Sequence, residues 1–535
     1  MVVSPRESPH VQRMGVRMGV RAAPTGGWTR HAGSSEAQHG VLSNDPGMSS
    51  PAEVAVTAPF AGVVVAMAHG ADDQVGAGSA LIVLEAMKME HEVIAQTDGV
   101  VRRVEVAIGD AVEEGQLLLV LAAGADRPTG AARPPEPESS AVRADLEAVR
   151  ERHALGLDAA RPDAVARRRE RGRRTARENL SELLDEDTFV EYGPLVFAAQ
   201  ERRRTREELI ARTPADGLVA GVGDVEGRPC VAMSYDYTVL AGTQGMRNHM
   251  KKDRLFEIAE RRRLPLVLFA EGGGGRPGDV DMPIVAGLDC RAFALFAGLS
   301  GLVPLVGIAS GYCFAGNAAL LGCCDVVIAT EDASIGMGGP AMIEGGGLGV
   351  HGPDDVGPID VQHANGVVDL RVSDDREAVA AAKRYLAYFR GPIAPGNVPD
   401  QSLLRQLIPE QRKRVYDVRR VLDTLFDEGS VLELRRGFGP GMITALARID
   451  GRALGVVANE PTHLGGAIDA DGADKAARFL GLCDAFELPL LFLCDTPGFM
   501  VGPEAERTAT VRHFARLFLA GANLTVPAGT IVLRK

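Results

Sequence analysis

Few side chains in this 535-residue chain are set by type and spacing to do chemistry. Lys88 stands between Met87 and Met89 in LEAMKMEHEV, and the Val/Leu/Ile runs on either side predict an exposed hairpin tip. A primary amine there is ordinarily a soluble turn residue, but it can also present an attached group at a distance from a folded domain. A second candidate is EGGGGRPGD (271–279), a glycine- and proline-rich loop closing the strand-like LPLVLFAE (264–271). A third is ARRRERGRRTARENL (166–180), which reads either as a solvated helix face or as an electrostatic site for a phosphorylated substrate. Metal-centred and triad chemistry lack support. The 11 His residues are scattered without ligand spacing, and the seven Cys residues all follow residue 229 without a CxxC pair. Such thiols fit a reduced, cytoplasmic core, and no metal ligand set is expected.

Two internal repeats describe the elements that must position these residues. Gly62, Asp73, Val75, Gly78, Leu81 and Val83 recur 37 positions later as Gly99, Asp110, Val112, Gly115, Leu118 and Val120. Each copy is too small to bury its own apolar face, so the pair predicts a flattened all-β barrel with quasi-twofold symmetry and Lys88 at the joint. Further on, VEGRPCVAMSYD (225–236) answers IDGRALGVVANE (449–460), and LPLVLFAE (264–271) answers LPLLFLCD (488–495), both at an offset of 224. Lys251 maps to Lys475 at that offset, and Val303-Pro304 answers Val526-Pro527 at 223. Strand-like and helical runs alternate here, which predicts two homologous α/β halves.

Length and composition bound the rest. At roughly 100–200 residues per domain the chain needs several domains. We divide it into a tail (1–50), the barrel (51–123), a Pro-rich spacer (124–140), a first α/β half (141–395) and a second (396–535). A net charge of −13 disfavours nucleic acid and anionic membrane surfaces as partners. Ala292–Cys324 carries no charged residue, but Pro304, Asn317 and several glycines interrupt it, so it predicts a buried strand feeding a helix and no membrane span.

EAMKME at the joint of a duplicated β domain resembles the biotinyl (biotin carboxyl carrier) domain over residues 54–122. That resemblance implies biotin in amide linkage on Lys88, with Met87 and Met89 beside it, attached by a biotin protein ligase. Residues 141–535 resemble the carboxyltransferase component of acyl-CoA carboxylases of the acetyl-/propionyl-CoA beta type, a pair of crotonase-like (ClpP/crotonase superfamily) domains. The motifs are TARENLSELLDEDTFVEYG (175–193), DGLVAGVGDVEGRP (216–229), SYDYTVLAGTQG (234–245), GYCFAGNAALLGCCDVVIAT (311–330), YDVRRVLDTLFDEGS (416–430) and CDTPGF (494–499).

The implied reaction moves carboxylate from biotin to the α-carbon of an acyl-CoA. Negative charge then gathers on the thioester oxygen, which calls for fixed backbone N–H donors. The resemblance assigns these to Gly316 and Asn317. The family more often has a second glycine at 317, so the Asn side chain is expected to narrow the acyl pocket. Gly273 and Gly274, in a loop that departs from the more common Ser-Gly-Gly-Ala-Arg, are expected to shape the CoA channel, with Lys251 as a further substrate contact. The resemblance also implies a separately supplied biotin carboxylase and a homo-oligomer, hexameric when complete. A biotin-dependent decarboxylase and a catalytically impaired biotinylated module remain the alternative readings. The latter arises because Gly316 shifted by 223 falls at position 539, past Lys535, where the counterpart hole of the second half is expected.

Overall fold

The computed structural model describes residues 52–124, 143–276, 278–281 and 290–535. The expected tail, and the expected spacer apart from Gly124, lie outside the described residues. The chain divides at Ser140 into two compact units.

The first unit is all β: β1 (Glu53–Thr57), β2 (Gly62–Met67), β3 (Gln74–Val75), β4 (Ala80–Ala86), β5 (Met89–Ile94), β6 (Gly99–Val104), β7 (Ala111–Val112) and β8 (Leu117–Ala123). They form two four-stranded sheets, ordered β1-β8-β6-β3 and β5-β4-β2-β7. Each order becomes the other when every strand is exchanged for its copy in the repeat, so each sheet takes the first and third strands of one half and the second and fourth of the other. The turns repeat as well. Asp73 accepts from Gly70 N–H at 2.7 Å, and Asp110 accepts from Ala107 N–H at 2.8 Å. Val64, Leu81 and Leu84 of one copy and Val101, Leu118 and Leu121 of the other are fully buried together. Burial on that scale contributes on the order of 1.5–3 kcal/mol per side chain, and neither copy achieves it alone.

The second unit contains two sheets of one topology. The first runs β17-β15-β13-β12-β11-β10-β9. Its members are β9 (Val190–Glu191), β10 (Leu218–Val225), β11 (Arg228–Tyr235), β12 (Leu266–Phe269), β13 (Leu305–Ala309), β15 (Val326–Thr330) and β17 (Leu370–Val372), while β14 (Tyr312–Phe314) and β16 (Ser334–Gly336) pair separately. The second runs β18 (Leu432–Leu434), β19 (Met442–Ile449), β20 (Arg452–Asn459), β21 (Leu490–Cys494) and β22 (Ala528–Val532) in spatial order. In both, the early strands pair antiparallel and the later ones parallel.

Strands β12, β13 and β15 are apolar and buried on both faces, as a covered parallel sheet requires. Val267, Phe269, Val306 and Ile308 face a core shared with Leu446, Phe479 and Leu490 of the second half. The alternate residues Leu266, Leu268 and Leu305 face another core, against the helices Met246–Arg262 and Ala292–Ala297. Ala292–Cys324 thus resolves into a short helix, the buried β13, β14 and the helix Gly316–Gly322. Among the described residues no helix is long and apolar enough to cross a membrane.

The basic run divides: Arg167, Arg169 and Arg171 are exposed, as a solvated face requires, whereas Arg168 pairs with Glu271, Arg173 with Asp332 and Arg177 with Glu191, and these three tie the entry helices to the sheet that follows.

Candidate functional site

At the tip of the first unit, Ala86 pairs with Met89 and leaves a two-residue loop, Met87–Lys88. Both loop residues have positive φ, 53° and 66°. The right-handed twist of a hairpin selects such a mirror-image turn, which usually takes Asn-Gly. With side chains present, each residue carries a strain of roughly 1–2 kcal/mol. Met87 is 97% exposed and Met89 64% exposed, and the Lys88 amine makes no ion pair among the described residues. A free amine on an exposed, conformationally fixed tip fits a covalently attached group, because nothing around it must move to admit one.

In the second unit, three segments converge after β11, β12 and β14. The loop leaving β12 is pinned by Gly272, whose N–H donates to Tyr312 O at 2.6 Å and whose carbonyl accepts from Phe314 N–H at 2.9 Å. Gln244 N–H donates to Gly274 O at 2.9 Å, and Gln244 O accepts from Arg276 N–H at 3.0 Å. A Cβ on Gly274 would lie 2.7 Å from that of Ala315, so that position packs only as glycine, and one on Gly273 would lie 3.2 Å from Thr243 Cγ2, a tight contact that Thr243 would have to relieve. Ala315 takes φ 54°, ψ −121°, a conformation that L side chains rarely adopt, and turns the chain sharply into the helix Gly316–Gly322. The first N–H groups of a helix have no intrahelical acceptor. Those of Gly316 and Asn317 find none elsewhere among the described residues.

Gly273, Gly274, Gly316 and Asn317 are therefore brought into one neighbourhood. The Asn317 side chain does not project into an acyl pocket. It is fully buried, donating to Gly242 O at 3.1 Å and Glu271 O at 2.8 Å and accepting from Gln244 Nε2 at 2.5 Å.

Lys251 serves elsewhere. It is 7% exposed, and its ammonium donates to the carbonyls of Ala215 (3.2 Å) and Leu218 at the start of β10. Burial pushes its pKa down to about 8. Lys475 repeats the arrangement, donating to Phe438 O at 2.9 Å with a pKa lowered by burial to about 8. The lysine repeat visible in the sequence thus marks a clamp on the strand entry of each half.

Other residues here were not anticipated. Gln244 is 3% exposed. Beneath it Tyr235 accepts at 3.0 Å from the wholly buried Lys252, whose pKa burial lowers to about 7. Glu271 is held on both oxygens by Arg168 at 2.6 and 2.8 Å. The repeat could have signalled Gln244: the position 224 residues later is Ile468, so the two copies differ at an otherwise parallel place.

Residues 167–535 match the carboxyl transferase domain. The chain belongs to that family. Residues 54–121 match the domain of biotin-requiring enzymes, so this carboxyl transferase carries a biotin-type domain on the same polypeptide. The carboxyl transferase unit is that of a biotin-dependent acyl-CoA carboxylase, an enzyme whose cofactor is biotin.

Among curated relatives, the methylmalonyl-CoA carboxyltransferase 12S subunit of Propionibacterium freudenreichii subsp. shermanii is 34% identical over 386 residues, covering 69% of this chain and 72% of that one. The propionyl-CoA carboxylase beta chain of Saccharopolyspora erythraea is 32% identical over 432 residues, covering 77% and 78%. Among solved structures, a single-chain, multi-domain long-chain acyl-CoA carboxylase superposes with TM-score 0.71 at 54% identity, covering 90% of this chain. This chain spans about half, 47%, of that protein's length. A transcarboxylase 12S structure described as a hexamer assembly superposes with TM-score 0.65 at 31% identity, covering 73% of this chain and 76% of that one.

Proposed function

We propose that this carboxyl transferase moves carboxylate from biotin carried on Lys88 to the α-carbon of an acyl-CoA of the acetyl-CoA or propionyl-CoA class. One observation carries the reading. The chain combines an exposed lysine on a rigid two-residue tip with a pair of unpartnered amides, Gly316 and Asn317, at a glycine-lined helix start. Biotin, when bound, would supply the activated carboxylate and, at the ring nitrogen freed by its transfer, the acceptor for the α-proton. The chain's own residues supply the electrostatics: as the α-carbon gives up its proton, charge moves to the thioester oxygen, and the two amides donate to it without reorganising. Gly273 and Gly274 let the thioester approach that helix start. Glu271 is not a free base, because Arg168 occupies both of its oxygens.

In this reading residues 51–123 carry the cofactor, 124–140 tether it, and 141–395 and 396–535 form the transferase. The partners are a biotin protein ligase, a biotin carboxylase supplied separately and further copies of this chain, in a cytoplasmic setting. The hexamer described for the 12S relative supports the assembly. The 54%-identical long-chain enzyme places long acyl-CoAs beside acetyl- and propionyl-CoA in the test.

That test is co-expression with a biotin ligase, intact mass, and transfer of labelled carboxylate to each acyl-CoA. The wild type should gain one biotin and transfer label; Lys88→Arg should do neither. An unmodified wild type removes the carrier assignment, and normal transfer by Lys88→Arg removes the route.

A further inference from the structure

The two halves share a main-chain clamp beside the strand end, and their side chains diverge on it. In the first half Gln244 N–H donates to Gly274 O at 2.9 Å, and Gln244 O accepts from Arg276 N–H at 3.0 Å. In the second, Ile468 N–H donates to Gly498 O at 3.0 Å, and Ile468 O accepts from Met500 N–H at 2.8 Å. The isolated bridges Gln244–Gly275 and Ile468–Phe499 are likewise equivalent. An isoleucine therefore suffices to clamp the loop, and the amide of Gln244 is there for something else.

That amide lies against the start of the helix Gly316–Gly322. A Cβ on Gly316 would stand 3.1 Å from both Nε2 and Oε1 of Gln244, so the glycine lets the two surfaces meet. Gln244 Nε2 donates to Asn317 Oδ1 at 2.5 Å. The two N–H bonds of Asn317 Nδ2 are taken by the carbonyls of Gly242 and Glu271, which fixes which end of that carboxamide faces Gln244. Both side chains are almost wholly buried, so each polar atom depends on the other side chain or on these carbonyls. Tyr235 accepts from Lys252 at 3.0 Å and is buried in its turn, so polar side chains are paired on this side of the helix start as well.

We propose that Gln244 is a positioning residue that, through Asn317, sets the amides of Gly316 and Asn317 against the Gly272–Gly275 loop. The proposal rests on the functional reading above for its effect on turnover, but not for its geometry. Asn317 is then no mere obstacle where the family more often has glycine; it is one half of a buried pair.

The experiment uses the full biotinylated chain as Gln244→Leu, Asn317→Gly and the double variant, read by kcat and KM for the acyl-CoA and by amide hydrogen exchange over 314–320. Gln244→Leu should lower kcat about 10- to 100-fold, the cost of a small displacement of reacting groups, while KM changes little. Exchange should rise at Phe314, Ala315 and Ala319, whose amides are bonded to Gly272, Gly336 and Ala315 around the helix start. The double variant should regain part of the lost kcat and protection, because Asn317 Oδ1 is no longer left unpartnered. Unchanged exchange in Gln244→Leu overturns the proposal, as does a double variant no better than Gln244→Leu. A wild type that transfers no label, yet shows the exchange pattern, sinks the functional reading and leaves the positioning role standing.

Discussion

Glu271 and Asp495 occupy the same place in the two halves, just past β12 and β21, yet they are neutralised differently. Glu271 takes both nitrogens of Arg168, 103 residues upstream in the basic helix. Asp495 accepts through Oδ2 from Arg534 Nε and from Tyr416 Oη, each at 2.9 Å, and its Oδ1 has no partner among the described residues. Arg534 also stacks over Tyr416, with its guanidinium carbon 4.6 Å from the ring centroid. The main-chain frame around the two carboxylates is nevertheless shared: Gly272 N–H donates to Tyr312 O and Thr496 N–H to Lys535 O. Duplication has kept the backbone pattern while each half drew its countercharge from whatever segment lay near. Backbone partners are fixed by topology, whereas a carboxylate accepts any donor of suitable reach.

The comparison can be broken most forcefully at Arg168. Arg168→Met leaves Glu271 buried and uncompensated and should cost about 3–5 kcal/mol in urea unfolding, with much of it recovered in Arg168→Met/Glu271→Gln. A loss no larger than that of a surface arginine would mean that the pairing is incidental. Tyr416→Phe sharpens the contrast, since Asp495 keeps Arg534 and loses one neutral donor. We expect a loss of about 1.5–3 kcal/mol by the same assay.

The smallest effect is a slope. Lys251 and Lys475, ordinarily near 10.5, are both lowered by burial to about 8, and Lys252 to about 7. Above those values the unfolded chain still binds the proton that the folded chain has released, so stability rises with pH until the unfolded lysine itself titrates. Lys251→Met and Lys475→Met should each flatten that rise between pH 8 and 10, to similar extents. Unequal flattening would separate the two clamps. Lys475 also lines a cavity of about 210 Å³ at the seam between the halves, and Lys251 does not.

Much of this was legible in the sequence because repetition is visible without coordinates. The offset of 37 foretold two sheets that exchange under one operation, and the offset of 224 foretold paired α/β halves. Side-chain destinations were less legible. Asn317 was read as a group in the pocket because the sequence does not show Gln244, 73 residues away, waiting beneath it. The sequence shows that Lys251 repeats as Lys475 but not that both ammonium groups end on main-chain carbonyls, a repeated scaffold clamp where a substrate contact is expected. In the arginine run the exposed face of Arg167, Arg169 and Arg171 is legible, but the pairing of Arg168 and Arg173 is not, because Glu271 and Asp332 come from distant strand ends.

The loop at Met87–Lys88 constrains the domain's future as well as its present. Side-chain period in a strand is two, so a residue added there and not absorbed by a three-residue loop would slip β5 against β4 and turn each of its side chains to the opposite face. Val93, now 8% exposed and paired with Ile82, would exchange places with a charged or exposed neighbour. The tip can vary in composition but hardly in length. Greater reach for whatever Lys88 carries has to come from the carried group or from the chain outside the barrel.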